Sequence, residues 1–350
     1  MRSLYMSLIS AIFSIALLQG CTSLTNPAPE VAKKPTRDCK VVRAAFDIGS
    51  GATRVKVAKV DRCKAKVLEV LLEREEKVDF KEDLTKNNKM FSEEIMKTGL
   101  DVLKSLKSEA ERLSPKEYVA VATAAFREAK NGQRYVERIN SELWINARIL
   151  KQSEEARLGF YGSAESLGAA PENTVIWDVG GSSQQIIKYN GNGRFSVYEG
   201  KLGSVGFKNY ILKRIKKSKA RSPNPMNEYQ VRLAVEHAQK TAQKTVKNDI
   251  KDFIKNSKDA KVLGIGGVHY HSIRAQVDPS GEKDVYTIGD VEKTLKSKIG
   301  KSDTDLGNPK FVETDVSNLA LIFGYMKALN IYQVRAAKIN MTDGLLLNHK

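Results

Sequence analysis

The chain has 350 residues, of which 41% are hydrophobic and 28% are charged, and this balance excludes a protein that is disordered throughout. Its net charge of +17 favours anionic partners: nucleic acid, anionic lipid, polyphosphate or a phosphorylated nucleotide. Because no zinc-finger or aromatic RNA-binding signature accompanies this charge, the sequence predicts no dedicated nucleic-acid module.

The N-terminus is predicted to direct export. Arg2 precedes an apolar run from Met6 to Leu18. This run is too short to span a bilayer as a mature helix, and it fits the apolar region of a secretory signal. We therefore expect a signal peptide over residues 1–20 and an exported, periplasmic protein.

The end of this apolar run, Leu18-Gln-Gly-Cys21, resembles the lipobox of bacterial lipoproteins, in which the cysteine becomes a lipid-modified N-terminus. Gln19 is not the usual small residue, so an ordinary signal peptide or an uncleaved anchor remains the alternative. The stretch that follows contains prolines and no hydrophobic period. We expect lipidation at Cys21, a tether over 21–39, and attachment to the bacterial envelope through the lipid.

Two cysteines flank the first predicted hairpin. Cys39 and Cys63 lie just outside the strands predicted at 41–48 and 53–61. If these strands pair antiparallel, the cysteines come opposite each other at the open end of the hairpin, where a disulfide is geometrically allowed. An exported compartment would preserve it. Two free thiols are the alternative, because pairing cannot be deduced from sequence.

The first half of the chain is predicted to fold in the order βββαβαβα. Strands are expected at 41–48, 53–61, 65–73, 118–123 and 147–150, and helices from Ser92 to near Pro115, after Asn131 and from near Ser153. The second half begins in the same way. Strands are expected at 175–179, 184–189, 194–199, 262–264 and 333–339, and helices at about 204–217, 226–257 and 314–330.

A pattern of strand, Asp, apolar residue, Gly, turn and strand occurs in both halves. Asp47 and Gly49 form the first copy, and Asp178 and Gly180 form the second. Glycine lacks a Cβ, so the backbone N–H groups of such a turn can approach an anion, while the aspartate can hold a cation. One copy alone is also typical of an ordinary β-turn. Two copies predict an α/β protein of two related lobes with a phosphate-binding cleft between them.

Six motifs identify a family resemblance. They are Asp47-Ile-Gly-Ser-Gly-Ala-Thr-Arg54, Ala122-Thr-Ala-Ala-Phe-Arg-Glu-Ala-Lys-Asn-Gly132, Ser153-Glu-Glu-Ala-Arg157, Asp178-Val-Gly-Gly-Ser-Ser-Gln-Gln185, Gly203-Ser-Val-Gly206 and Gly264-Ile-Gly-Gly267. In this order they resemble the exopolyphosphatase and guanosine pentaphosphate phosphohydrolase family, Ppx/GppA, from about residue 41 onwards. The resemblance implies two actin-like lobes of the ASKHA, RNase H-like type. We expect these at 40–155 and 156–330, with 331–350 returning to the first lobe.

The resemblance also implies hydrolysis of a terminal phosphoanhydride in polyphosphate or pppGpp, with Mg²⁺ or Mn²⁺. Glu155 would be the general base, and Asp47 and Asp178 would hold the metal. The expected phosphate-binding residues are Gly49, Ser50, Arg54, Arg127, Gly180, Gly181, Ser183, Gly266 and Gly267. Without the family motif, the favoured interpretation of Glu155 is an acidic residue that suits a helix start, and that of Arg127 is an ordinary salt-bridge residue.

A cationic run follows the second-lobe motifs. Its members Lys213, Arg214, Lys216, Lys217, Lys219 and Arg221 are candidates for a track that binds a polyanion, with a solvated helical face as the alternative. Relatives include homodimers, so a homodimer is a possible assembly.

Four positions depart from the family pattern. Gly51 and Ala52 replace Asn and Ser in the first turn, Gln185 replaces Glu in the second, and Thr342 stands where the family has Arg. These changes leave two hypotheses open. The first is a phosphoanhydride hydrolase, and the second is a catalytically impaired protein that keeps the fold and binds anions or acts as a scaffold.

Overall fold

Two mixed β-sheets, one in each half of the chain, form the framework of the protein. The computed structural model describes residues 38–167, 170–257, 260–307 and 309–347. The predicted signal peptide, Cys21 and the tether up to residue 37 lie outside the described residues. Among the helices of the described ranges, none is both long enough and apolar enough to cross a membrane.

The first lobe contains five strands and four helices of the N-terminal half. These are β1 (Lys40–Ile48), β2 (Ala52–Asp61), β3 (Lys66–Lys77), α1 (Phe80–Lys86), α2 (Glu93–Glu111), β4 (Glu117–Ala122), α3 (Ala124–Glu128), α4 (Gly132–Leu143) and β5 (Ala147–Ile149). The sheet order is β3-β2-β1-β4-β5, with β1 antiparallel to β2 and parallel to β4. A helix, α5 (Gln152–Leu167), then leads to the second lobe.

The second lobe repeats this plan. Its elements are β6 (Thr174–Val179), β7 (Gln184–Tyr189), β8 (Phe195–Gly200), α6 (Ser204–Tyr210), α7 (Glu228–Thr245), α8 (Asn248–Asn256), β9 (Lys261–Ile265), α9 (Ala275–Val277), β10 (Val285–Thr287), α10 (Ile288–Ser297), α11 (Val312–Leu329) and β11 (Gln333–Ala336). The last helix, α12 (Met341–Leu347), packs on the first sheet. The sheet order is β10-β11-β9-β6-β7-β8, with β6 antiparallel to β7 and parallel to β9. Each sheet therefore joins an antiparallel hairpin to parallel strands, and the predicted α/β class with two actin-like lobes is confirmed.

Several predicted elements have different bounds. The single helix expected at 226–257 is wrong, because Val246 and Lys247 adopt extended backbone between α7 and α8. Burial of the Val246 side chain in the second-lobe core accounts for the turn. The helix expected at 204–217 is also wrong as one α-helix, since α6 continues as a π-helix over Ile211–Lys216.

Helices α5 and α12 lie between the two sheets. On α5, Leu158 packs with Met341 and Leu345 of α12 against the first sheet, while Phe160 packs against the second. The two helices approach so closely that a Cβ on Gly344 would lie 2.2 Å from the Leu158 carbonyl oxygen. A glycine is required there, and the close contact fixes the position of α5 in the interface.

Polar contacts attach α12 to the first sheet. The buried Lys56 ammonium on β2 lies 2.6 Å from Asp343, and the Arg43 guanidinium on β1 donates to the Leu346 carbonyl oxygen at 2.7 Å. Arg43 thereby binds a main-chain carbonyl group in the last described turn of α12. The C-terminal segment packs on the strands that carry the first glycine turn.

A disulfide joins Cys39 and Cys63 at the open end of the β1–β2 hairpin, with a Cα–Cα distance of 5.3 Å. The adjacent ladder pair is Lys40 and Asp61, so the antiparallel register brings the two cysteines together. The Asp61 carboxylate also accepts a hydrogen bond from the Cys63 backbone N–H at 3.0 Å.

Candidate functional site

The two glycine turns face each other across a cleft with a cavity volume of about 180 Å³. Each turn follows a central strand, so Asp47 and Asp178 lie at the carboxyl ends of β1 and β6. A Cβ on Gly181 would lie only 3.1 Å from the Ser50 Cβ, which shows how closely the turns approach. The fold therefore brings both predicted phosphate turns and both predicted metal ligands into one cavity.

Asp47 is paired with an arginine on one side only. Its Oδ2 accepts from the Arg54 guanidinium at 3.3 Å, and Arg54 also donates to Glu75 at 2.5 Å. These three residues occupy directly opposed positions on β1, β2 and β3. The Asp47 Oδ1 is buried and has no hydrogen-bond partner among the described residues. Burial raises the pKa of Asp47 above its usual value, although Arg54 opposes the shift.

Asp178 is the less compensated of the two aspartates. Burial is the main cause that raises its pKa to about 7, the nearby Asp47 carboxylate adds to the shift, and Arg54 partly opposes it. Gly266 makes room for this side chain, because a Cβ there would lie 2.4 Å from Asp178 Oδ1. Gly266 also has a φ of +79°, so a side chain at this position is excluded on two grounds.

Glu155 lies in the first turn of α5, buried to 3% exposure. Its Oε2 accepts hydrogen bonds from the Arg127 guanidinium and the Gln185 amide, each at 3.0 Å. Burial raises the pKa of Glu155 to about 7; Arg127 opposes the shift, and the carboxylates of Asp178 and Asp47 increase it. A buried carboxylate with a pKa near neutrality has the strength expected of a general base.

The remaining predicted phosphate residues also line this cavity, except Arg127, which contacts Glu155 but does not line the cavity. Gly49, Ser50, Gly180, Gly181, Ser183, Gly266 and Gly267 line the cavity. The Ser50 hydroxyl accepts from the Ala125 backbone N–H at 3.1 Å. Arg127 is fixed by a second bond, to the Leu150 carbonyl oxygen at 2.6 Å.

The carboxylates of the cleft fit a divalent cation. Asp47 Oδ1 is a buried acceptor without a donor among the described residues, and the Asp47 carboxylate disfavours ionisation of the neighbouring Asp178. Hard cations such as Mg²⁺ prefer carboxylate oxygens, and a positive charge near both aspartates would relieve their repulsion. Asp47 and Asp178 are therefore suitable residues to hold it.

The predicted cationic track does not line the cavity. Arg221 is occupied by Asp79 at 2.7 Å, and the Lys216 ammonium donates to the Pro223 and Pro225 carbonyl oxygens. The exposed members are Lys213, Arg214, Lys217, Lys219 and Arg221, and Lys216 is half-buried. Two of the six side chains thus make internal contacts, and the exposed ones lie outside the cavity lining.

Sequence reasoning missed the charged residues at the mouth of the cleft. Lys77 at the end of β3 lies 2.6 Å from Glu313 of α11, and buried Lys208 of α6 is paired with Glu82 of α1. These ion pairs join the two lobes. No local sequence pattern indicated them, because each partner lies more than a hundred residues from the other.

Comparisons with known proteins agree with this fold. Residues 57–348 match the model of the Ppx/GppA phosphatase family. The PPX-GPPA enzyme of Aquifex aeolicus is 19% identical with a TM-score of 0.68, and the alignment covers 88% of this chain and 99% of that one. An exopolyphosphatase from Cytophaga hutchinsonii is 18% identical with a TM-score of 0.70, covering 87% and 96%. An exopolyphosphatase-like protein is 16% identical with a TM-score of 0.74, covering 88% and 97%.

Proposed function

The chain belongs to the Ppx/GppA phosphatase family, and on that premise we propose that it hydrolyses a terminal phosphoanhydride bond of polyphosphate or a related polyphosphorylated compound. One observation carries the proposal. A buried carboxylate, Glu155, is held by two donors beside a cleft in which two glycine turns and two aspartates converge. This arrangement supplies a base, anion-binding backbone groups and cation ligands within one cavity.

In the proposed reaction, a water molecule attacks the terminal phosphorus atom. Glu155 takes the proton of that water as the new P–O bond forms, and the bond from phosphorus to the bridging oxygen breaks. The products are inorganic phosphate and a substrate shortened by one phosphate. Because the pKa of Glu155 is about 7, its ionised fraction increases through neutral pH. Arg127 supports the ionised form and holds the carboxylate in place.

The glycine turns have a separate role in binding. Gly181 brings backbone close to the opposite wall of the cleft, where N–H groups can stabilise charge on phosphate oxygens, and Gly266 makes room for Asp178 of its own sheet. A Mg²⁺ ion bound by Asp47 and Asp178 would supply positive charge that neutralises the phosphate oxygens. Arg54 holds the Asp47 carboxylate through its ion pair.

Substrate entry depends on a mouth of mixed charge. Acidic Asp79, Glu82 and Glu313 line the cleft together with basic Lys77 and Lys208. Because the lysines are paired with these acids, a polyanion gains little from them while the pairs persist. Metal-complexed phosphate is therefore the form of substrate that this cleft suits best.

A second candidate function is anion binding without hydrolysis. The observation that favours it is Gln185, a neutral amide at a position where the resemblance implies an acid. Loss of that charge weakens cation binding in the second turn. The same cleft would then bind phosphate while turnover is slow.

A measurement of phosphate release distinguishes hydrolysis from anion binding without hydrolysis. The purified protein is incubated with Mg²⁺ or Mn²⁺ and with short polyphosphate, long polyphosphate or pppGpp. We expect Glu155→Gln to lower kcat at least 100-fold, because loss of a general base costs about 10²–10⁴-fold. Glu154→Gln is the matched control, since the neighbouring Glu154 contacts Arg148 and the Lys151 backbone instead of the cavity.

Negligible release from the wild-type protein and from Glu155→Gln alike would sink the hydrolase proposal. If equilibrium dialysis then shows polyphosphate bound without release, the anion-binding function is supported. Equal activity of wild type and Glu155→Gln, at a rate well above background, would show that Glu155 is not the base.

A further inference from the structure

Gln185 occupies a defined place beside the base. It lies on β7, directly opposite Asp178 of β6, and only 3% of its surface is exposed. Its Nε2 donates to Glu155 Oε2 at 3.0 Å and lies 3.3 Å from the Ser183 hydroxyl oxygen. The ionised Glu155 carboxylate can only accept hydrogen bonds, so its contact with Gln185 requires the NH2 end of the amide to point towards it.

The Gln185 amide and the Arg127 guanidinium both restrict the Glu155 carboxylate. Arg127 belongs to α3 of the first lobe, whereas Gln185 belongs to the second-lobe sheet, and both donate to the same carboxylate oxygen. A glutamate at position 185 would instead place a second carboxylate, which can only accept hydrogen bonds when ionised, against the Glu155 carboxylate. Gln185 is therefore a donor that this chain has gained where the family resemblance implies an acid.

We propose that Gln185 is a positioning residue that holds the Glu155 carboxylate in the orientation needed to accept a proton from the attacking water. This inference rests on the proposed function for its kinetic consequences, whereas its structural consequence can be observed without turnover. Misplacement of a catalytic group by about 1 Å can cost about 10²-fold in rate, so loss of one of two restraints should be measurable.

The kinetic experiment compares three variants of the full chain. Gln185→Met removes the donor at similar volume, and Gln185→Asn keeps an amide but shortens its reach by one methylene. We expect both to lower kcat about 10- to 100-fold with KM changed less than about threefold, because Gln185 acts on the base and not on substrate binding.

Gln184→Met is the matched control. Gln184 is a buried glutamine on the same strand, but its amide bonds Trp177 and the Leu202 carbonyl oxygen on the other face of the sheet. Its replacement should cost stability without changing kcat more than about threefold. A kcat for Gln185→Met equal to that of Gln184→Met would overturn the inference.

A double-mutant cycle tests whether Gln185 acts through Glu155. In the Glu155→Gln background, Gln185→Met should change the residual kcat less than about twofold, because the group that it positions is already lost. A loss of tenfold or more in that background would assign Gln185 an independent role. A rise in KM that accounts for the whole loss would assign it to substrate binding.

Crystal structures of wild type, Gln184→Met and Gln185→Met test whether loss of the Gln185 amide moves the Glu155 carboxylate. We expect the Glu155 carboxylate to rotate or lose order only in Gln185→Met. If it keeps its place on Arg127, the inference is wrong whatever the kinetics show. If it moves while the wild-type protein releases no phosphate, the proposed function has failed and the positioning contact stands.

Discussion

The two glycine turns use the same backbone plan with different cross-strand partners. In the first hairpin, Asp47 lies opposite Arg54, and Arg54 lies opposite Glu75 on the next strand. In the second hairpin, Asp178 lies opposite Gln185. The first aspartate therefore faces a guanidinium, whereas the second faces a neutral amide that donates to Glu155.

This difference gives the two turns different roles, although their sequence motifs are alike. The first turn is partly compensated within its own sheet, since the single positive charge of Arg54 bridges the Asp47 and Glu75 carboxylates. The second turn leaves Asp178 to be compensated by something that enters the cleft, and its cross-strand partner orients the base. The first lobe thus contributes an aspartate, Asp47, that is held by an arginine, and the second contributes the less compensated aspartate, Asp178.

The largest expected effect of this difference is on how the free energy of unfolding of the metal-free protein depends on pH. The pKa of Asp178 is raised from its ordinary value of 3.8 to about 7, so the folded state binds a proton more tightly than the unfolded state. Asp178 alone should then lower the free energy of unfolding by on the order of 4 kcal/mol as pH rises between these two values, and Glu155, whose pKa is also raised to about 7, adds to the decline. Urea unfolding in EDTA at pH 4 and pH 8 measures it.

Asp178→Asn should flatten this decline and become more stable than wild type at pH 8. Asp47→Asn is the matched control, and it should flatten the decline less, because Arg54 already compensates the first aspartate. Equal flattening by both variants would contradict the proposed asymmetry between the turns.

The second test concerns the ends of the hairpins away from the cleft. The first hairpin is closed by the Cys39–Cys63 disulfide, which links residues 24 apart in sequence. Closing such a loop restricts the unfolded chain, so replacing both cysteines by serine should lower the free energy of unfolding by about 3 kcal/mol. Urea unfolding of the double variant measures this, with reduced wild type as the control.

An unchanged urea midpoint in the double variant would show that the disulfide does not stabilise the folded protein. Phosphate release by the folded double variant should match wild type, because the disulfide lies at the far end of β1 from Asp47. A large loss of activity in the folded double variant would mean that loss of the disulfide changes the position of the cleft residues through β1.

The sequence alone was sufficient for the turns and the overall lobe plan. Asp47 and Asp178 end apolar strands and precede glycines, and this local pattern predicts both position and chemistry. The lobe plan follows from hydrophobic periodicity on either side of these turns. Local chemistry and periodicity are encoded within short windows, so they can be recognised without a structure.

Contacts between distant segments could not be predicted in this way. The Glu155–Gln185 hydrogen bond joins a helix to a strand of the other lobe, and its existence depends on the exact packing of α5. The Lys208–Glu82 pair likewise depends on how the lobes approach. The break at Val246 was missed because burial in the core overrode a helical pattern.

The smallest expected effect is on cation affinity, and it tests the asymmetry of the turns directly. Loss of a carboxylate ligand that has no compensating cation should weaken Mn²⁺ binding more than loss of one already paired with an arginine. We expect Asp178→Asn to raise the Kd for Mn²⁺ about 100-fold and Asp47→Asn about 10-fold, or ~2.7 and ~1.4 kcal/mol. Isothermal titration with Mn²⁺ at pH 8 measures both.

Glu154→Gln is again the control, because it removes a carboxylate charge near the cleft without removing a proposed ligand. A larger effect of Asp47→Asn than of Asp178→Asn would reverse the assignment of the two turns, since it would mean that Arg54 positions Asp47 for the cation more than it neutralises it. The Kd values would then identify the first lobe as the principal cation site, although its aspartate is the one with a charged partner.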